Sequence, residues 1–352
     1  MQVRFIHGVT VCARIATGGL QPAMPVVCSG GMQYTTLGST GVTVSRLCYG
    51  TMSFGGDADE AMSAKMFSRC REVGINFFDC ANVYSAGRAE EILGRLMKGQ
   101  RDQLIITSKV GMALKDQPLN ARGLSRRMIF QQIELTLKRL ATDYLDVYFY
   151  HCDDMSVPQE QYLRAMDELV RCGKIRYIGA SNWSAWRIAR SLGICEREHL
   201  SKVAVLQPMY SLAKRTAEVE ILPLAQAERL GVISYSPLGG GLLSGKYRDG
   251  GAQGRLKANA MYARRYELEM YRQIATRFAE YAAVAGVSPV TLAVAWAKRH
   301  PGVTAPIIGA RNLEQLEPSL AAADYIMSGE EWTQIAGLTP PVPVATDRDE
   351  ER

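Results

Sequence analysis

Asp79, Tyr84, Lys109 and His151 supply a carboxylate, a phenol, an ammonium and an imidazole, and each stands at or just beyond the end of a short β-rich run. Together such groups can move a proton and polarise a carbonyl. A tyrosine, with an ordinary pKa of about 10, is a poor acid at neutral pH. An ammonium beside it favours the phenolate, which lowers that pKa and suits it better to proton transfer. An aspartate paired with the lysine keeps the cation charged and oriented, and a histidine can hydrogen-bond a carbonyl oxygen as it becomes an alkoxide. Asp79 and Tyr84 lie five residues apart across a strand end and its loop, so both can face one mouth. Taken singly, each residue also reads as a surface or packing group.

The elements that would position them alternate along the chain. The β-rich runs are Leu47–Gly50, Asn76–Asp79, Leu104–Lys109, Leu145–Tyr150, Ile175–Ala180, Ala204–Gln207, Val232–Ser236 and Ala305–Gly309. Amphipathic helical periods fall near 60–73, 88–98, 125–140, 158–172, 184–192, 219–230, 267–285 and 312–323. Strands and helices alternating in this number predict an α/β fold of the (β/α)8 TIM-barrel class, in which chemistry gathers at the carboxyl ends of the strands. The second run ends in Asp79, the third in Lys109, and the fourth leads into His151. The fifth is followed by Ser181-Asn182, the sixth ends in Gln207, the seventh in Tyr235-Ser236, and the eighth in Gly309 with Arg311 beyond. Packing alone does not explain so regular a placement. Gln33–Leu37 and Val42–Val44 flank Gly38-Ser39-Thr40-Gly41, which predicts a β-hairpin capping the bottom of the barrel. Residues 1–31 read as a disordered extension, 32–339 as one barrel domain, and 340–352 as a flexible tail.

Composition narrows the function classes. The chain has 352 residues, 47% of them hydrophobic and 22% charged, within the range of one barrel of about 250 residues plus insertions. The net charge of +6 is spread over pairs such as Arg126-Arg127 and Lys138-Arg139 in helical stretches, which read as solvated faces and not as a nucleic-acid surface. No apolar run approaches the roughly eighteen residues of a membrane span, and no signal peptide is clear at the start. The eight cysteines include no C-x-x-C pair, which fits reduced thiols and a cytoplasmic location. The four histidines are too scattered for a metal cluster.

Three segments in this order resemble the aldo-keto reductase family over about Tyr34 to Tyr325. Asp79-Cys80-Ala81-Asn82-Val83-Tyr84, followed by Gly87 and Glu90-Glu91-Ile92-Leu93-Gly94, is similar to its Asp-x4-Tyr segment. Leu104–Gly111 is similar to its lysine strand and Tyr144–His151 to its histidine strand. The resemblance implies a catalytic tetrad of Asp79, Tyr84, Lys109 and His151, with Tyr84 as general acid and hydride arriving from nicotinamide C4. Gln207-Pro208-Met209-Tyr210-Ser211-Leu212, with Arg215 and Glu218, resembles the bacterial and plant branch related to potassium-channel β subunits. That branch leaves two alternatives to carbonyl reduction: a cofactor-binding regulatory subunit, and a sugar dehydrogenase working mainly in the oxidative direction.

A Rossmann G-x-G-x-x-G fingerprint is absent, and the resemblance instead implies a cofactor laid across the barrel mouth. Gly50, Thr51 and Met52 follow from it as cofactor contacts. Ser181, Asn182 and Gln207 match the positions that bind the nicotinamide carboxamide, and Tyr235 the aromatic that stacks on the ring. Ser236-Pro237-Leu238-Gly239-Gly240-Gly241, continuing through Ser244, Gly245 and Lys246, suits the pyrophosphate, since small residues expose backbone N–H groups. Gly240-x4-Gly245-Lys246 also has P-loop spacing, but Tyr247 stands where Ser or Thr would hold Mg²⁺. The stretch 248–265 reads either as a flap over the pyrophosphate or as a loose loop. Gly309, Arg311 and Gln315 match the adenosine 2′-phosphate site, and the guanidinium fork favours NADPH, with NADH possible. Asn312 stands where a second basic residue is common, and Pro318-Ser319 replaces the usual pair that holds adenine. Phe54, Met112 and Trp183, with Met52 and Tyr84, are the candidates for lining an apolar pocket for a small carbonyl substrate, although Phe54 and Trp183 read equally as core. The sequence leaves the oligomeric state open.

Overall fold

A computed structural model describes residues 26–27, 31–112, 120–247, 254–346 and 348. Eleven strands are present among them: β1 Val26–Val27, β2 Gln33–Thr36, β3 Thr43–Ser45, β4 Cys48–Gly50, β5 Phe77–Asp79, β6 Ile105–Val110, β7 Leu145–Tyr150, β8 Ile175–Ser181, β9 Val203–Gln207, β10 Gly231–Ser234 and β11 Ala305–Ile308. Strands β4 to β11 close into a parallel barrel in chain order, with β11 paired to β4 (Ile307 beside Cys48). This is the expected (β/α)8 barrel, with each strand within two residues of its sequence-based bounds. β2 and β3 form the expected hairpin, and β1 pairs antiparallel with β2 as a third strand, inside the segment read as a disordered extension. The rest of 1–30, the Met112–Asn120 connection at 113–119, the flap residues 248–253 and most of 347–352 lie outside the described residues.

Period-two alternation divides the strand side chains between two cores. The inward set, Cys48, Phe77, Val147, Phe149, Val205, Ile233 and Ala305, packs with Leu37 and Val44 of the hairpin, so the hairpin does close the barrel base. Tyr177 ties it down by donating to Thr40 O at 2.9 Å. Phe149 lies over its neighbour on the next strand, Gly179, where a Cβ would sit 2.3 Å from the ring. The outward set, including Tyr49, Phe78, Ile106, Tyr148, Tyr150, Ile178 and Leu206, packs under the helices.

Twelve α-helices are present among the described residues, most of them packed around that outer face: α1 Glu60–Glu72, α2 Arg88–Leu96, α3 Arg126–Leu140, α4 Gln159–Arg171, α5 Ala185–Glu198, α6 Ile221–Ala227, α7 Arg255–Ala258, α8 Ala260–Arg265, α9 Glu269–Ala285, α10 Pro289–Arg299, α11 Leu313–Leu320 and α12 Gly329–Ala336. Several start on the side-chain caps that satisfy free N–H groups: Asp59 accepts from Met62 N, Ser125 from Met128 N and Asn312 from Gln315 N. Three regions of helix go beyond the expected set. α10 has Pro289 at its first turn and is buried nearly all round, from Thr291 to Lys298, so it carries no amphipathic period. α7 and α8 lie in the stretch read as flap or loop. α12 begins at Ser328, whose Oγ accepts from Glu331 N at 3.0 Å. No single helix among the described residues is long and apolar enough to cross a membrane.

Candidate active site

The inward parity that builds the barrel core also builds its mouth. One step beyond Phe77 the same face offers Asp79; beyond Phe149 it offers His151; beyond Val205 it offers Gln207. Lys109 shares the face of Ile105 and Thr107 on β6. The top layer of the barrel is therefore polar where the lower layers are apolar, and the four expected tetrad residues converge there.

Lys109 is fully buried, and its Nζ donates to Asp79 Oδ2 at 2.5 Å, to Cys80 O at 2.7 Å and to the Tyr84 hydroxyl at 3.3 Å. Asp79 is itself held from two strands: Thr107 Oγ1 and Gln207 Nε2 donate to its Oδ1 at 2.7 and 2.9 Å. The Tyr84 and His151 rings meet edge-on with centroids 6.1 Å apart. His151 is buried, and its Nδ1 makes no hydrogen bond. Burial and then the neighbouring Lys109 charge push its pKa down to about 3, so its imidazole is neutral at pH 7. Lys109 is pulled down by burial but raised further by Asp79 and Tyr84, and stays charged. For Tyr84 the balance differs from expectation. Lys109 does pull the phenol down, but burial raises it more, and the net pKa is pushed up to about 12.

Beside the tetrad, Ser181 Oγ donates to Gln207 O at 2.9 Å, and Asn182 Nδ2 donates to His151 O and to Ser181 Oγ. Asn182 takes the left-handed backbone, φ 59°. Its Oδ1 accepts from the Tyr235 hydroxyl at 2.6 Å, so these two expected nicotinamide contacts are bonded to each other across the mouth. Thr51 is buried, and its hydroxyl donates to Asp79 O at 3.0 Å; Gly50 packs beside Gly309, whose Cβ would meet Gly50 O at 3.3 Å. Met52 is 40% exposed at the same rim.

The glycine segment forms a tight turn. Gly239, Gly240 and Gly241 all have positive φ, as does Ser236, and Ser244 Oγ closes the turn on Gly241 O at 2.7 Å. Pro237 and Gly239 are buried, and Leu238 is half-buried. A Cβ on Gly241 would meet Lys246 Nζ at 3.3 Å. Gly245, also left-handed, ends the turn ahead of Lys246. Burial, and then the like charges of Arg311 and Arg255, lower the Lys246 pKa. Arg311 Nε pairs with Asp57 at 3.0 Å, and Arg311 N donates to Gln315 Oε1 at 3.3 Å. Within the turn Gly239 N donates to Ser236 O, and both Gly241 N and Leu243 N donate to Leu238 O.

The pocket candidates divide. Met112 is 41% exposed. Phe54 has no exposed surface and lies against Tyr49 with centroids 5.8 Å apart, so it belongs to the core. Trp183 is stacked on Tyr150 at 5.1 Å and almost wholly covered, although its buried Nε1 has no partner. Asn312, expected to weaken phosphate binding, serves as the N-cap of α11, and Ser319 is buried within that helix. Sequence reasoning missed Thr107 as an Asp79 ligand, Asp57 as the Arg311 partner, and the buried pair of Glu90 with Arg139 at 3.1 Å. Thr107 was findable, because it shares Lys109's face two residues earlier; the other pairings are long-range.

Comparison with known proteins agrees with this architecture. The Aldo/keto reductase family profile matches residues 46–339. An uncharacterized oxidoreductase, YrpG, of Bacillus subtilis (strain 168) is 37% identical over 322 residues, 88% of this chain and 96% of that protein. Probable voltage-gated potassium channel β subunits of Oryza sativa subsp. japonica and Arabidopsis thaliana are 36% and 35% identical, each over 84% of this chain and 92% of its own length. The chain belongs to the aldo/keto reductase family of oxidoreductases, built on a (β/α)8 barrel and acting on small carbonyl compounds.

Proposed function

We propose that the protein reduces an aldehyde or ketone to the alcohol with NADPH, using Tyr84 as the general acid. The observation that carries this reading is Lys109 Nζ, fully buried between Asp79 Oδ2 at 2.5 Å and the Tyr84 hydroxyl at 3.3 Å. When bound, the nicotinamide supplies the hydride from C4 to the carbonyl carbon. Tyr84 gives its proton to the carbonyl oxygen and is left as a phenolate, which the Lys109 ammonium stabilises and solvent reprotonates. Neutral His151 polarises the carbonyl by hydrogen bonding. Ser181, Asn182 and Gln207 would hold the carboxamide, and Tyr235 would stack on the ring after releasing Asn182. Gly239 to Lys246 would hold the pyrophosphate, and Arg311 with Gln315 the 2′-phosphate, the feature that favours NADPH over NADH. Buried free thiols at Cys48, Cys70 and Cys80 suit a reducing cytoplasm.

The test is Tyr84→Phe, assayed on a broad carbonyl panel in both directions. Turnover should fall by about 10²–10⁴-fold, with the NADPH dissociation constant nearly unchanged; near-normal kcat would refute the assigned acid. The names of the plant relatives favour one other reading, a cofactor-binding regulatory subunit. Slow single-turnover oxidation of bound NADPH without steady-state activity on the panel would favour it. Faster turnover with sugars in the oxidative direction would instead favour a dehydrogenase.

A further inference from the structure

The loop that carries Tyr84 is held in an unfavourable conformation. Ser85 (φ 47°), Ala86 (φ 55°) and Gly87 (φ 97°) are left-handed in succession directly after the tyrosine. Residues with a Cβ persist there only where the surroundings over-determine them. One side chain contacts both ends of this loop. Arg139 Nη1 donates to Asn82 O at 3.5 Å on the near side, and its guanidinium lies so close to Gly87 on the far side that a Cβ would fall 2.4 Å from Cζ. A side chain at position 87 would displace it.

Arg139 is anchored in turn by Glu90, a carboxylate with no exposed surface. Its Oε2 accepts from Arg139 Nη1 at 3.1 Å, and its Oε1 accepts from Ser108 Oγ at 2.6 Å and Thr136 Oγ1 at 2.9 Å. Ser108 is the residue before Lys109 on β6. One carboxylate therefore joins the strand that carries the lysine to the arginine that clamps the loop of the tyrosine. Burying an ion pair is a weak route to stability, since apolar packing of the same volume does as well or better. This pair, however, spans the two segments whose spacing sets the Tyr84–Lys109 hydrogen bond. Asn82 Nδ2 adds a second tether, donating to Gln132 Oε1 at 2.8 Å on α3.

We propose that Glu90 and Arg139 are positioning residues that fix the tyrosine loop against the lysine strand, Arg139 holding Asn82 and Gly87 and Glu90 holding Arg139 and Ser108. The proposal rests on Tyr84 being the proton donor. Its test uses the full chain, with para-nitrobenzaldehyde and NADPH, in Arg139→Gln, Tyr84→Phe and Lys138→Gln, the last an exposed neighbour on α3. Because a misplacement of about 1 Å at reacting groups can cost about 100-fold, Arg139→Gln should lose at least about tenfold in kcat. Its NADPH dissociation constant should stay within about twofold, and Lys138→Gln should behave as wild type. An alkaline absorbance titration, taken as the difference with and without Tyr84→Phe, should place the phenol higher in Arg139→Gln, because Lys109's downward pull weakens as the loop moves off. If Arg139→Gln does not fold, Arg139→Lys should show the same split, since an ammonium can hold Glu90 but cannot clamp both loop ends. Wild-type kcat and an unmoved Tyr84 titration in a folded Arg139 variant, with Tyr84→Phe inactive, would overturn the positioning role and leave the acid intact. An active Tyr84→Phe would overturn the acid assignment and this proposal with it.

Discussion

Replacing Asp79 by asparagine keeps the side chain's shape and removes its charge. Lys109 Nζ would then be a buried cation left with Cys80 O at 2.7 Å and the Tyr84 hydroxyl at 3.3 Å. Removing one member of a buried pair typically costs about 3–5 kcal/mol. The remaining carbonyl, and the freedom of Lys109 to shed its proton, place this case near about 3 kcal/mol. For a chain this long, with a urea slope of about 3 kcal/mol/M, the unfolding midpoint should drop by about 1 M. The pH dependence makes the expectation specific. In the wild type the folded pKa of Lys109 is raised above 10.5, so its contribution is fully present below that value and is lost only as pH rises through the higher, folded value. In Asp79→Asn, burial acts without its main opponent and the folded pKa falls below the unfolded one. Stability in the variant is then gained as pH rises and lost as it falls. Urea unfolding from about pH 6 to about pH 9 should show the largest deficit at the acid end, narrowing steadily with pH. An Asp79→Asn protein as stable as wild type at the acid end, or a deficit that widens with pH, would refute the reasoning.

Two further outcomes are expected. The folded pKa of His151 is depressed from 6.5 to about 3, so its contribution is present above the unfolded value and lost as pH falls toward the folded one. His151→Gln cannot titrate, and its urea midpoint should therefore gain on wild type between about pH 6.5 and about pH 4; a constant difference would count against a buried neutral imidazole. Arg311→Ala should weaken NADPH binding by roughly tenfold or more, as expected for a lost charge-assisted pair to phosphate, and should leave NADH binding almost unchanged. Equal losses for both cofactors, measured by nicotinamide fluorescence, would remove the 2′-phosphate from Arg311.

What could be read from the sequence was whatever the barrel's period imposes. Asp79, Lys109, His151 and Gln207 sit at strand ends on the inward face, and a strand that buries Phe77 or Phe149 in the barrel must present Asp79 or His151 above it. Helices with an apolar stripe were legible for the same reason, whereas α10, covered on almost every side, has no stripe to find. Contacts between distant segments were not legible. Asp57 meets Arg311, and Arg139 meets Asn82 and Gly87, only after the barrel brings their loops together. Phe54 and Trp183 stand in loops just beyond strand ends, so the period does not decide whether they face the mouth or the helices; both turn to the packed side, against Tyr49 and Tyr150. Asn312 stands where a second basic residue is common, but an asparagine before an apolar period is also the ordinary start of a helix, and here it caps α11.

The electrostatics of Tyr84 carry the last step. Burial raises the phenol to about 12 while Lys109 works against it, and in the proposed proton transfer the two effects would serve different stages. The raised value keeps the proton in place at neutral pH, which a donor requires. Once the proton leaves, the same burial penalises the phenolate, and only a fixed positive charge nearby offsets that penalty. A mobile lysine could not supply it reliably. Lys109 is fixed because Asp79 and Cys80 O saturate its other directions, and Asp79 is fixed because Thr107 and Gln207 hold its second oxygen. If Tyr84 is the donor, as proposed, its usable acidity is set by the stiffness of the groups behind Lys109, not by proximity alone. Substitutions that loosen Asp79 or Arg139 should reduce turnover even though neither residue need touch the substrate.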